Sequence, residues 1–230
     1  EDGIRDRSPS RGLGDVYKRQ GVFRSWKDGK FSGYGFLEDY ANFINVLLRA
    51  HALTATPEYL DEAVKLADSM ISKFWDDKGR VFYDTPENGE SLIYRPSDYY
   101  DNAVPSGASA ACIALRDLSY ILDISKYRDI YQSLNNAVRS DAVQHPTAFG
   151  NWLCEISDEL RGMVEVAIVG PSNEDMSVLR STILKTFIPN SVIICKTTDE
   201  HSGFNEDQLG FYSPLLQDRS AIDDRTTVYI

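Results

Sequence analysis

Two short stretches carry acids, phenols and an amide at spacings that could serve one ligand. The first is Gly35-Phe36-Leu37-Glu38-Asp39-Tyr40-Ala41. The second is Asp98-Tyr99-Tyr100-Asp101-Asn102-Ala103-Val104-Pro105-Ser106. Glu38, Asp39, Asp98 and Asp101 are the candidate catalytic carboxylates. Tyr40, Tyr100, Asn102 and Ser106 are the candidate substrate contacts. Such a set suits a polyhydroxylated small molecule, because each hydroxyl needs a donor or an acceptor and aromatic rings pack against apolar faces. A plainer role is open to the same residues. Acids stabilise the free N–H groups of a helix start, and Asp101 or Asn102 can fix the turn before Pro105. No cofactor and no metal is expected, since no His or Cys falls at ligand spacing.

The elements that position these residues follow from periodicity. Leu37, Tyr40, Ala41, Ile44, Leu47 and Leu48 recur at helical spacing and predict a helix over 36–53. A second stripe, Phe43, Val46, Ala50 and Leu53, predicts that this helix is buried on two sides. Thr56-Pro57 starts a helix over 58–75 with a single apolar stripe, which places it outside the first. Val81–Asp84 and Ser91–Tyr94 read as the arms of a small hairpin. Pro105 or Ser106 opens a third helix rich in small residues, ending near Asp123. Helices over 126–143 and 147–160 follow. Buried helix, outer helix and hairpin then repeat after about 70 residues. That alternation predicts a mainly α architecture, a partial α/α toroid whose inner helices start at one mouth. Beyond 163 the pattern becomes strand, helix, strand: Val164–Gly170, Glu174–Phe187 and Ser191–Cys195, a β-α-β element with parallel pairing. Thr226–Ile230 reads as a further strand. Gly170-Pro171-Ser172-Asn173 reads as a plain strand-to-helix turn, lacking the glycines and lysine of a phosphate loop.

Composition narrows the classes of partner. The 230 residues carry a net charge of −11, with a pI near 4.7. Nucleic acid and anionic membrane both call for a basic surface, so neither is expected. No apolar run reaches the length of a membrane span. Cys112, Cys154 and Cys195 are odd in number and widely spaced, which points to unpaired thiols in a reducing compartment, the cytoplasm. Of the histidines, His51 falls too deep in its helix for the mouth, and His145 and His201 fall in loops. Residues 1–20 lack periodicity and resemble translated adaptor sequence, so they are set aside as a non-native tail. Residues 21–162 are the helical part, and 163–230 the small α/β part.

Three stretches carry a family resemblance: the two motifs above, the second continuing through Gly107-Ala108-Ser109, and Val166-Ala167-Ile168-Val169-Gly170. They resemble the spermatogenesis-associated protein 20 family over nearly everything from Val22 to Ile230. The resemblance implies a thioredoxin-like domain followed by a six-hairpin, glycosidase-like α/α barrel, of which this chain is a C-terminal portion. It further implies that the missing partners are the earlier barrel helices and the thioredoxin-like domain, and that the chain alone is inactive. The barrel superfamily hosts several reactions, so three readings stay open. Glycoside hydrolysis uses a carboxyl general acid and a second carboxylate, drawn here from Glu38, Asp39, Asp98 and Asp101. Sugar epimerisation calls for a base near neutrality, commonly His, which this chain does not offer at the mouth. The third reading is a non-catalytic interaction module attached to the redox domain.

Overall fold

The structure is a computed structural model that describes residues 21–87, 93–198 and 213–230. The expected tail over 1–20, Ser91-Leu92 and His201 lie outside the described residues. The described chain is mainly helical, with small sheets. It opens on a hairpin, β1 (Phe23–Lys27) with β2 (Lys30–Tyr34). Asp28 and Gly29 form its turn with φ of 50° and 78°. That positive-φ pair matches the right-handed twist of the strands.

Helix α1 (Leu37–Thr54) and α2 (Pro57–Phe74) pack as a hairpin. The single stripe of α2 is buried as expected, from Leu60 to Phe74. The two-sided burial of α1 is corrected. Leu37, Tyr40, Ala41, Ile44, Leu47 and Leu48 are buried, but Val46 is 59% exposed and Leu53 60%. The reason is packing order: α1 lies mainly against α2 and α3, and of the second stripe only Phe43 packs, partly buried, against that core. The surrounded helix is α3 (Gly107–Leu122), with thirteen residues buried. It packs on α1, on α4 (Ser125–Gln144) and on α5 (Gly150–Arg161). Its alanines and Cys112 allow that close approach on several sides.

The second hairpin also differs from expectation. β4 (Val81–Phe82) pairs antiparallel with β3 (Trp75–Asp76), the residues directly after α2. The turn 77–80 closes a far shorter loop than pairing with Ser91–Tyr94 would need. Arg80 takes the left-handed position, φ 51°. Ile93 and Tyr94 lie in a bend rather than a strand.

The β-α-β element forms as read. β5 (Val164–Gly170) and β6 (Ser191–Thr197) are parallel, in register from Val164 opposite Ser191 to Gly170 opposite Thr197. Helix α6 (Asn173–Lys185) makes the crossover, and Ser172 caps it by accepting from Asp175 N at 3.2 Å. β7 (Thr227–Tyr229) adds to the other edge of β5, antiparallel. The sheet shares the helical core: Ala167, Val169, Val192 and Ile194 join the cluster built on α1 to α5. Polar contacts tie the two parts as well. His51 Nδ1 donates to Thr56 O at 3.0 Å, and its Nε2 accepts from Cys195 N at 3.3 Å. Ser213 Oγ donates to Ile121 O at 2.6 Å. No described helix is long and apolar enough to cross a membrane.

Candidate functional site

The starts of α1 and α3 touch. A Cβ on Gly107 would lie 3.0 Å from Glu38 N and 3.3 Å from Leu37 Cγ, so only glycine lets the two backbones meet this closely. The segment after β4 runs alongside. Leu37 N donates to Asp84 O at 3.0 Å, and Asp84 N donates to Pro96 O at 2.8 Å. The Asp84 carboxylate accepts from Asp98 N at 3.2 Å. Three segments distant in sequence therefore bring Glu38, Asp84 and Asp98 into one group.

Asp84 is chemically distinct within it. Burial of its half-shielded carboxyl, then the charges of Asp98 and Glu38, outweigh the Asp98 N–H bond and push it up to about 6. A carboxyl that titrates near neutrality can deliver a proton at working pH. Glu38 is half-exposed and pairs with Arg24 Nη2 at 3.0 Å. Arg24 also lies 3.5 Å from Asp39 and stacks over the Phe36 ring at 4.3 Å.

The remaining candidates go elsewhere. Asp39 reaches back to Phe36 N at 2.8 Å, half of a capping box for α1. Tyr40 is buried and faces α2, where its hydroxyl accepts from Lys73 Nζ at 2.7 Å and Val22 N at 3.2 Å. Asp101 is buried and fully occupied. One oxygen accepts from Ser106 N at 2.9 Å and Ser109 Oγ at 2.8 Å. The other accepts from Asn151 N at 2.8 Å and Trp152 N at 3.3 Å, capping α5 from outside that helix. Ser106 caps α3 by accepting from Ser109 N at 3.2 Å. Tyr100 is half-exposed over the Phe149 ring, and Asn102 is exposed. Asp98 anchors its own turn by accepting from Tyr100 N at 2.9 Å. The structure thus gathers Glu38 and Asp98 about Asp84, and collects Asp101 and Ser106 into a second, structural knot.

Two features escaped sequence reasoning. Asp84 reads locally as the last residue of a strand, and only its partners from other segments set it apart. Arg116 is buried on α3 against Asp117, Glu155 and Asp158, with Asn135 donating to Glu155 and Glu159. Burial pushes the Glu155 carboxyl up, and Arg116 opposes that shift. This network joins α3, α4 and α5. His51 is buried with both ring nitrogens engaged, and burial lowers its basicity. It is no base for a ligand. Among the described residues no group of three or more His, Cys, Asp or Glu is placed to hold a metal ion.

No family model matches the chain. Spermatogenesis-associated protein 20 of Mus musculus is 29% identical over 199 residues, 86% of this chain and 25% of that protein. The Rattus norvegicus protein of that name is 30% identical over the same shares, and the Homo sapiens one 28%. The chain spans about a quarter of the length of these curated relatives. Over most of its own length, it resembles the spermatogenesis-associated protein 20 family.

Proposed function

We propose that the helical part, residues 21–162, belongs to a six-hairpin α/α toroid in a longer protein that acts on carbohydrate. In this reading α1 and α3 are neighbouring inner helices, and residues 163–230 are an appended α/β element. The observation that carries it is Asp84, raised to about 6 where two helix starts meet beside Glu38 and Asp98. Glycoside hydrolysis needs a carboxyl kept protonated near neutrality and a second carboxylate close by. Asp84 supplies the first, and Glu38 or Asp98 the second. Tyr100 and Asn102, exposed at the same end of α3, contact the sugar. The rest of the toroid and a thioredoxin-like domain are the partners, and the chain alone is inactive. Three unpaired cysteines suit the cytoplasm.

The test is turnover of a glycoside panel by the longer protein. Asp84→Asn should abolish it with the fold intact, and the pH–rate profile should lose activity above about 6, where Asp84 deprotonates. Full activity in both Asp84→Asn and Glu38→Gln overturns the assignment. A second reading has its own support. Asp39, Asp101 and Ser106 are spent on caps, as in a non-catalytic interaction module serving the redox domain. Sugar binding without turnover, or neither, would favour it.

A further inference from the structure

A groove of about 820 Å³ runs between α1, α5 and the turn that leads from α6 into β6. Each side contributes a cation to its lining: Arg49 on α1, Arg161 at the end of α5 and Lys185 at the end of α6. All three are exposed, and none lies in an ion pair among the described residues. Asp158 is the one acid of the lining, and Arg116 Nη1 already engages it at 3.3 Å. A chain of net charge −11 therefore carries a local excess of positive charge here. The turn in the groove precedes β6, whereas the undescribed segment 199–212 departs from the far end of that strand, about 20 Å away.

The rest of the lining is apolar. Leu153, Leu184 and Ile188 border the groove, and Phe187 stands 89% exposed in it. Val46 and Leu53, one turn to either side of Arg49, continue the exposed apolar surface along α1. Single exposed apolar side chains are ordinary, but a group of them bordered by cations marks a contact surface.

Charge and shape select the occupant. The cations stand on three separate elements, so they suit several carboxylates spread along one ligand rather than a single anionic group. A bilayer or a nucleic acid would face the acidic flanks of the protein over many Debye lengths, while a short peptide stays within the field of the groove. We propose that this groove docks an acidic peptide segment of a partner protein, its carboxylates on Arg49, Arg161 and Lys185 and its apolar side chains against Phe187 and Leu153. The surface is separate from the group around Asp84 and does not depend on the carbohydrate reading.

Fluorescence anisotropy on the 230-residue chain with a labelled peptide of Asp-Glu-Leu-Phe repeats tests the proposal. It should bind saturably and weaken as ionic strength rises. Peptides of Asn-Gln-Leu-Phe and of Asp-Glu-Ser-Ser repeats should each bind about tenfold weaker or worse. Arg49→Glu and Lys185→Glu, both at exposed positions, should each cost about tenfold in affinity, and Phe187→Ala severalfold. Lys27→Glu, on the distant β1 turn, makes the same change in net charge and should leave affinity unchanged. Cys154, which lines the groove and is exposed, should react more slowly with a thiol reagent when the peptide is bound. Absence of saturable binding overturns the proposal. So does equal affinity for the neutral peptide, tighter binding to phosphatidylglycerol vesicles, an equal loss in Lys27→Glu, or unchanged affinity in all three groove variants.

Discussion

Asp101→Ala should be among the most destabilising single changes in the chain. The Asp101 carboxylate is 8% exposed and accepts from four donors: Ser106 N, Ser109 Oγ, Asn151 N and Trp152 N. Two of these are otherwise uncapped N–H groups in the first turn of α5, whose own N-cap position holds Phe149, without a side-chain cap. Loss of a cap costs about 1 kcal/mol, and each hydrogen bond to a charged acceptor is worth about 1.5–3 kcal/mol. The bonds are not additive, and water entering the vacated space restores part of them, so about 3–5 kcal/mol is expected. Asp101→Asn keeps one accepting oxygen but sets an amide NH₂ against donors, and should cost about 2–3 kcal/mol. Urea unfolding followed by circular dichroism measures both, with unchanged m-values confirming that only stability moved. Asp98→Ala is the control: Asp98 is exposed and holds one turn bond, so about 0.5 kcal/mol or less is expected. The reasoning is refuted if Asp101→Ala matches that control, or if the Asn variant is as stable as the parent chain.

Three further outcomes follow from the packing. Gly107→Ala should destabilise by about 1–3 kcal/mol despite the better helix propensity of alanine, since its Cβ would meet Glu38 N at 3.0 Å; a neutral or stabilising result in urea unfolding counts against the close approach of α1 and α3. His51 is held neutral by burial, below its usual 6.5. Only the unfolded chain gains its proton just below that pH, so His51 contributes less stability as pH falls. The stability gap between the parent chain and His51→Gln should therefore narrow below about pH 6.5, and a gap that widens there reverses the sign. Cys154 is exposed, whereas Cys112 and Cys195 are buried with their thiols pushed up by burial. A thiol reagent on the native chain should label Cys154 alone, located by peptide mass; rapid labelling of all three would contradict the described burial.

Much of the secondary structure was legible because its signals are local. Thr56-Pro57, Ser106 and the β-branched run Val164–Val169 each announce an element within a few residues. The misjudgements concern what those elements meet. Val46 and Leu53 belong to an apolar stripe on α1 that looks buried, yet they are exposed, because burial depends on neighbours that periodicity does not reveal. Val81-Phe82 could pair with either flank, and the shorter turn decided. The acids show the same divide. Asp101 and Asp98 stand three residues apart and look alike, but one is buried under α5 while the other remains in solvent. Asp84 is unremarkable in its own segment. Its raised pKa arises only where residues 36–39, 81–85 and 96–98 converge, and no local spacing encodes that.

The imidazole of His51 has one more effect. By accepting the Cys195 N–H it takes a place along β6 that another strand could otherwise fill. Among the described residues β6 ends the sheet order β6-β5-β7, and a terminal strand with open N–H groups is a template for intermolecular pairing. A helix side chain thus occupies one hydrogen-bonding position at that margin. Acid strong enough to protonate His51 would turn this acceptor into a donor, release the strand, and convert a loss of stability into a tendency to aggregate.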